Sequence, residues 1–555
     1  MLRSRQIWDV PTETSRIAHN SLPKGNEYLT LRDNIGVIYQ DETFAELFVW
    51  RGQPAESPGL LAMVTIMQFA EGLTDRQAAE AVGSRIDWKY VLGLAIDAPG
   101  LSHSVLNEFR GRLLEDSQEQ LLFETLVDHL KEQGWFKGSR RQRTDSTHVL
   151  AAVRDLNRLE FVGETLRAAL NDLATVVPEW LVQHVEADWF DLYGPRLENY
   201  RLPQTKTKRL ALQQRIGQDG YRLMEAIYGP QAPVWLRELP TVQVLRQVWV
   251  QQYYRQDEQV AIRTKQDYGL PPNQLLIQSP YDPEARLRTK RQTQWNGYSV
   301  HLTETCDPDQ PHLITHCETT PATTADGQMT ATIHQALADK DLLPEEHLVD
   351  TAYVDAELIL SSQQDYQLDL VGPVPPNPSW QTKDEQAYDL NCFLIDWDQQ
   401  VVTCPQGHQS VSWQPHQTRQ GTPMIAVKFS RTACGACAER SRCTKSNTTA
   451  RGLSFRPKEQ FLVLQAARQR QDTPAFKALY QQRAGVEGTI SQAVRRCDLR
   501  RTRYIGLLKT RLQHLATAAA INLARLAAWL SDSPKVQRRQ ARFLALKPSF
   551  LSCLT

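Results

Sequence analysis

The stretch ALYQQRAGVEGTISQAVRRC, residues 478–497, carries an unusual mixture along one helical face. Tyr480, Arg483 and Glu487 stand at i, i+3 and i+7, a spacing that brings all three to the same side of a helix. Ser491 and then Val494 or Arg495 continue that side. An aromatic, an arginine, a carboxylate and a further arginine make a poor core stripe. Two readings fit. One is a solvated face on which Arg483 and Glu487 pair at i, i+4. The other is a metal-binding glutamate flanked by side chains suited to phosphate.

The surroundings of this helix are basic although the chain is not. The 555 residues hold 63 Lys/Arg and 63 Asp/Glu, a formal net charge of zero, which argues against a polyanion-coating protein. Between Tyr480 and Ala545, however, 13 Lys/Arg stand against 3 Asp/Glu. Arg495, Arg496, Arg500, Arg501, Arg503, Lys509 and Arg511 follow Glu487 closely and are expected to hold DNA phosphates beside it. A second basic group, Arg286, Arg288, Lys290 and Arg291, precedes WNGYSVHLT at 295–303 and carries a weaker claim.

Length alone predicts two to four domains or large insertions. Apolar content of 41% and charged content of 23% are ordinary for a folded protein. MLRSRQIWDV has no apolar core of a signal peptide. LATAAAINLARLAAWL, residues 515–530, is short and contains Asn522 and Arg525, so it reads as a buried helix and not a membrane span. Nine cysteines without a secretion signal point to a reducing, cytoplasmic setting and to metal binding.

Upstream, the pattern divides the chain. Residues 1–135 read as helical; LLAMVTIMQFA is followed by GLTDRQAAEAV, where Thr74 and Gln77 have capping-box spacing, the outline of a helix-turn-helix. RQRTDSTHVLAAV at 141–153 reads as a strand carrying Asp145. From about 155 to 265, Leu156, Leu159, Val162, Leu166, Leu170 and Leu173 open a helical insertion. Strands then resume at 295–303 and 312–319, a helix follows at about 328–341, and EEHLVDTAYVD places Asp350 at the end of a short apolar strand before a helix and LDLVGPV. Locally paired strands followed by strand–helix–strand predict a mixed α/β sheet. Residues 374–460 form a β-rich segment, 461–530 return to helix, and 531–555 are a tail.

Asp145 and Asp350 on strands and Glu487 on a helix suit two-metal phosphoryl transfer, in which carboxylates on rigid elements hold two ions about 3.5–4 Å apart. Asp155 and Asp355 compete. Asp145 and Asp350 are preferred because each lies within or closes a β-prone run, whereas Asp355 reads as the cap of the helix AELILSS.

At this point the chain resembles the bacterial insertion-sequence DDE transposases that bear a Y-x2-R-x3-E-x6-K helix signature. Tyr480, Arg483 and Glu487 match it; Val494 stands where the Lys is expected, with Arg495 and Arg496 beside it, so the Lys role in gripping DNA ends passes to Arg495 or is lost. VDTAY, with Tyr353 three residues after Asp350, resembles the second-Asp motif, and RTDSTHV the first-Asp strand. RLRTKRQTQWNGYSVHLTETCD, RRTRYIGLLKTRLQHLATAAAINLARL and the N-terminal helices are similar to this group as well. The resemblance implies an RNase H-like core over 136–373 and 461–530, with Asp145, Asp350 and Glu487 as ligands of two Mg2+ (or Mn2+). It also implies terminal inverted repeats and target DNA as partners, a homodimer on DNA, and an N-terminal domain for end recognition.

The β-rich segment has its own signal. Cys404 in VTCPQGH and Cys434, Cys437 and Cys443 in CGACAERSRC suit a closed, structural Zn2+ site in a zinc-ribbon-like insertion. A segment with so little core gains stability from such a staple. His408 is an alternative ligand. Cys306, Cys317, Cys392, Cys497 and Cys553 read as ordinary thiols. The sum is a DNA transposase, with a host nuclease of the same fold or a silent domesticated DNA-binding protein as rivals; the presence of all three carboxylates weighs against the last.

Overall fold

The computed structural model describes residues 1–49, 51–256, 259–264, 266, 269–377 and 379–531. The tail after Ser531, including Cys553, lies outside the described residues. The chain divides into two compact units. Among the described residues, one comprises 1–68, 73–108 and 520–531, and the other 69–72 and 109–519.

The N-terminal region is helical, with helices Thr12–Ser21, Glu27–Ile35, Pro58–Glu71, Asp75–Ser84, Ile86–Val91, His103–Glu115 and Leu121–Glu132. The expected capping box is present. Gln77 N–H donates to Thr74 Oγ1 at 3.3 Å and Thr74 N–H donates to Gln77 Oε1 at 2.9 Å. Two of the donors that a helix start leaves unpaired are thereby satisfied.

The larger unit is organised by a mixed sheet. We number its strands β1 (Arg141–Leu150), β2 (Thr293–Thr305), β3 (Ile314–Pro321), β4 (Glu346–Leu348) and β5 (Asp369–Val371). Their spatial order is β3-β2-β1-β4-β5. β2 runs antiparallel to both β1 and β3, while β4 is parallel to β1 and β5 parallel to β4. A short strand, Arg286–Lys290, forms a hairpin with the start of β2. At Gly297, opposite Leu150, an added Cβ would stand 2.2 Å from the Val149 carbonyl, so only glycine lets the two strands approach.

β1 sits at the centre of this sheet yet is rich in polar residues. Thr144 is buried because its hydroxyl is paired at 2.6 Å with both Thr303 Oγ1 and His347 Nε2. Gln142 is buried through bonds to the Leu342 carbonyl and the Thr315 hydroxyl. Polar groups survive in a core when each finds a partner. The helices Met329–Asp339 and Ala356–Tyr366 connect β3 to β4 and β4 to β5. Asp355 caps the second of them, accepting from Leu358 N–H at 2.8 Å.

Between β1 and β2 lies a helical insertion with its own core, built on helices Arg158–Val176, Lys206–Tyr228 and Pro240–Gln252. Leu166, Leu173, Ile216, Leu223, Leu245 and Trp249 are fully buried there. Residues after β5 form small sheets, Leu394–Asp396 with Val401–Thr403, and Ser410–Gln417, Pro423–Phe429 and Gly452–Phe455 in sequence. Their core is only a handful of residues around Val402, Val427 and Phe455.

The C-terminal region does not form one continuous helix around Glu487. Helix Pro474–Gln481 ends in a 3-10 turn, Gln482–Ala484, before helix Gly485–Cys497 begins, and Leu507–Leu530 follows after a loop. Arg143 Nη1 donates to the Gln482 carbonyl at 2.6 Å inside this turn, giving that carbonyl a partner outside the helical ladder. LATAAAINLARLAAWL lies in the last helix and is largely buried. No described helix is long and apolar enough to cross a membrane.

Candidate active site

The register of the sheet decides where the first two carboxylates meet. Arg143 on β1 pairs with Leu348 on the parallel strand β4. Asp145 and Asp350 each lie two residues further along, so they leave adjacent strands side by side. Asp350 sits just past the strand end and caps the 3-10 turn Thr351–Tyr353, accepting from Ala352 N–H at 2.8 Å. Asp145 accepts from Ser146 N–H at 2.8 Å.

Glu487 comes from the first turn of helix Gly485–Cys497 and is 69% exposed. Arg483 links it to the strand: Nη2 is 2.7 Å from Asp145 Oδ2 and Nη1 is 3.8 Å from Glu487 Oε1. Tyr480 completes the group. Burial raises its hydroxyl pKa, opposed by Arg483, and Asp350, Asp145 and Glu487 all push it further up. Burial also raises the Asp145 carboxyl, with Arg483 and the Ser146 N–H acting against it and Asp350 acting with it. Arg483 thus bridges Asp145 and Glu487, and the charges of all three carboxylates act on the Tyr480 hydroxyl. Among the described residues, no group of three or more His, Cys, Asp and Glu side chains is arranged to hold a metal ion.

A cleft of about 400 Å³ opens between Asp145 and Glu487, and Ser491, Val494, Arg495 and Arg500 line it. Val494, at the signature Lys position, thus belongs to the wall, and Arg495 and Arg500 supply its cations. Arg500 Nε donates to Thr147 Oγ1 at 2.9 Å.

The other arginines and lysines of the C-terminal run are placed differently. Arg501 and Lys509 are exposed. Arg496 Nε donates to the Ala70 carbonyl at 3.2 Å, and the Arg503 guanidinium lies over the Phe69 ring. Arg511 departs from the expected role. Its guanidinium stands 3.5 Å from the buried Glu119 and 3.7 Å from Glu318, so it is occupied inside the fold and does not reach the cleft. In the second basic group, Arg286 and Arg288 are spent on backbone carbonyls and Lys290 pairs with the buried Asp326 at 3.2 Å. Arg291 is exposed at the hairpin turn, with φ of 57°.

The support for Asp145 and Glu487 is not apparent from the sequence. Arg143 Nε donates to Glu304 Oε1 at 2.7 Å, both side chains being buried, and Thr489 Oγ1 donates to Glu304 Oε2 at 2.6 Å. Arg143 and Asp145 share a face of β1, and Thr489 and Glu487 share a helix. The ion pair therefore fastens the helix to the strand. Gly485 is part of this contact, because a Cβ there would stand 2.1 Å from Arg143 Nη1. An Arg two residues before a strand Asp is the available signal, but in the sequence it stands as one member of a basic run. On the opposite face of β1, Ser146 Oγ donates to the buried Asp326 at 3.2 Å, and the Tyr353 hydroxyl is 2.6 Å from His301 Nδ1.

Cys404, Cys434, Cys437 and Cys443 line a single small cavity in the β-rich segment, together with His408. Burial lifts the Cys443 thiol to about 11, with Arg451 opposing and Cys437, Cys404 and Cys434 adding to the rise. Cys404 N–H donates to the His408 carbonyl at 2.9 Å and Gly407 N–H donates to the Cys404 carbonyl at 2.8 Å, folding a tight turn around the first thiol. Cys306, Cys317 and Cys497 are buried free thiols and Cys392 is an exposed one.

Two family matches bear on this geometry. Residues 403–527 match the family described as Transposase DDE domain. Residues 17–112 match the one described as Transposase domain (DUF772). The first match takes in the four clustered cysteines, Tyr480, Arg483 and Glu487, and lies downstream of Asp145 and Asp350. No curated protein and no solved structure matches the chain.

Proposed function

With a chain that carries a transposase DDE domain and an N-terminal transposase domain as the premise, we propose that it cleaves DNA at the ends of a mobile element and joins them to target DNA. Asp145, Asp350 and Glu487 are the catalytic carboxylates of this reading. The observation that carries it is the strand register that sets Asp145 beside Asp350, with Arg483 reaching from Asp145 to Glu487. The order β3-β2-β1-β4-β5, three antiparallel strands continued by two parallel ones, supports an RNase H-like core.

The three carboxylates would hold two Mg2+ or Mn2+ ions, for which hard oxygen donors are the fitting set. When bound, such ions activate the attacking oxygen and stabilise the leaving one during in-line displacement. The chain's own side chains do the rest. Arg495 and Arg500 neutralise phosphates on the cleft wall, and Arg495 takes the place of the signature Lys. Tyr480 and Arg483 orient the strand that enters between Asp145 and Glu487. Water attacks the phosphodiester at each end, and the freed 3′-hydroxyl attacks target DNA in a second displacement. Arg496, Arg501, Arg503 and Lys509 contribute at most to the wider basic surround.

The N-terminal helices, including the capped pair at Thr74, recognise the terminal repeats, and two copies of the chain act together on the paired ends. The division 1–135, 136–373 with its insertion at about 155–265, 374–460 and 461–530 follows these roles. Cys404, Cys434, Cys437 and Cys443 bind one structural Zn2+. Their convergence on one cavity supports this, and thiolates suit that ion.

The test is cleavage of a plasmid carrying the element's ends by Asp145→Asn, Asp350→Asn and Glu487→Gln proteins. Each should lose cleavage by about a hundred- to a thousandfold, on the scale of removing an essential charge-stabilising group, while still binding end DNA. Normal cleavage by Glu487→Gln would overturn the assignment. Cleavage without any strand-transfer product would favour a nuclease.

A further inference from the structure

The helical insertion between β1 and β2 carries an exposed basic face that the carboxylate site does not use. From Arg196 to Arg209 the chain places Arg196, Arg201, Lys206, Lys208 and Arg209 against a single acid, Glu198. Arg196, Arg201, Lys206 and Lys208 are exposed. Glu198 is shared among Arg201, Arg154 and Arg196. Among the described residues Arg209 donates to neutral oxygens alone, Asn199 Oδ1 and the Pro203 carbonyl. Lys206 and Lys208 make no ion pair among the described residues. Tyr200, 70% exposed, carries the Arg201 guanidinium on its ring at 5.5 Å.

Local helix physics disfavours this arrangement. Lys206, Lys208 and Arg209 open the 23-residue helix Lys206–Tyr228, whose first turn contains no acid. The partial positive charge at a helix start attracts anions and repels cations. Three cations there are each modestly unfavourable at low salt, a repulsion that an external anion would relieve.

The face is also connected to the cleft wall by a short stretch of chain. Leu150, the last residue of β1, donates its N–H to the Arg500 carbonyl at 2.8 Å and accepts from Thr502 N–H at 3.1 Å. Four residues on, Arg154 Nη2 donates to the Leu197 carbonyl at 2.9 Å, inside the basic segment. Four residues of chain reach at most about 14 Å, the length of roughly four base pairs.

We propose that the 196–209 face binds the phosphate backbone of the DNA duplex flanking the scissile phosphate, without reading its sequence. The inference rests on the transposase reading and adds to it a second DNA-contacting surface, on the insertion. Full-length protein with Arg196→Gln, Arg201→Gln, Lys206→Gln and Lys208→Gln is titrated with fluorescent end-bearing duplex over about 50 to 300 mM salt. The salt slope should fall by about 0.9 for each phosphate no longer neutralised, near 2 to 4 in total, with at least a tenfold weaker Kd at about 0.1 M. The loss should be equal on unrelated duplex, and a variant with Arg196→Lys and Arg201→Lys should keep the wild-type slope.

An unchanged slope in the four-site variant overturns the inference while wild-type binding and cleavage leave the transposase reading intact. The inference is likewise overturned if the lysine variant loses as much as the glutamine one, or if only self-association changes. Wild-type protein that binds no duplex overturns both.

Discussion

Arg143 and Glu304 form an ion pair at 2.7 Å with exposures of 6% and 0%, and that pair ties the strand of Asp145 to the helix of Glu487. Removing one member of a buried pair leaves the other charge desolvated, at a cost of about 3–5 kcal/mol. Arg143→Ala should therefore lower stability by that order in denaturant unfolding. Gly485→Ala should reduce cleavage with a smaller loss of stability, because its methyl displaces the Arg143 guanidinium and moves the helix start. A Gly485→Ala protein with wild-type cleavage would argue against this coupling.

Arg500 and Arg511 should separate by readout. Arg500 lines the cleft and leans on a neutral hydroxyl, so Arg500→Ala should weaken DNA binding and reduce the salt slope by about 1 with little effect on stability. Arg511 faces the buried Glu119, so Arg511→Ala should cost on the order of 2 kcal/mol. Its DNA affinity, measured on folded protein, should stay unchanged.

Acid should unfold the protein through buried histidines. Burial drives His316 down from 6.5 to about 3 and His334 to about 4. The unfolded chain then binds more protons than the folded one between these values and 6.5, so stability rises with pH through that window. It is fully present above about 6.5 and is lost as pH falls towards 4. Unfolding midpoints measured from pH 7 to pH 4.5 should fall, and His316→Gln should flatten the slope.

Purified protein should contain one zinc per chain by elemental analysis, and Cys437→Ser should lower that figure. Because the β-rich segment has a core of few residues, strong chelation should expose 374–460 to protease while the main sheet stays protected.

Thr74→Ala removes the capping box of helix Asp75–Ser84. It should cost about 1 kcal/mol, read as a lower unfolding midpoint, and Thr74→Ser should restore most of it.

The features legible in the sequence are those with local causes. The Thr74–Gln77 cap, the Asp355 cap and the leucine repeat of the insertion follow from hydrogen bonds and periodicity within a few residues. So do the helices on either side of the Gln482–Ala484 turn. The three carboxylates stand out by strand and helix context aided by family resemblance. Long-range pairings have no such signal. Thr144 with His347, Arg143 with Glu304 and Arg511 with Glu119 join residues more than 150 positions apart. An arginine bound for a buried acid has the same local sequence as one bound for a phosphate, which is why Arg511 reads as DNA-facing until its partner is seen.

By itself the sequence determined the element types and the Cys434, Cys437 and Cys443 cluster, because each is written in short spacings or motifs, whereas the single helix face expected for Tyr480, Arg483 and Glu487 is broken by the Gln482–Ala484 turn. Only the tertiary structure decided the rest. The register of β4 on β1 set Asp145 beside Asp350, and the reach of Arg483 joined Asp145 to Glu487. Buried ion pairs determined which cations turn inward. Those outcomes depend on which distant groups meet in a low-dielectric interior, where an unpaired charge is costly and a partner is selected by geometry.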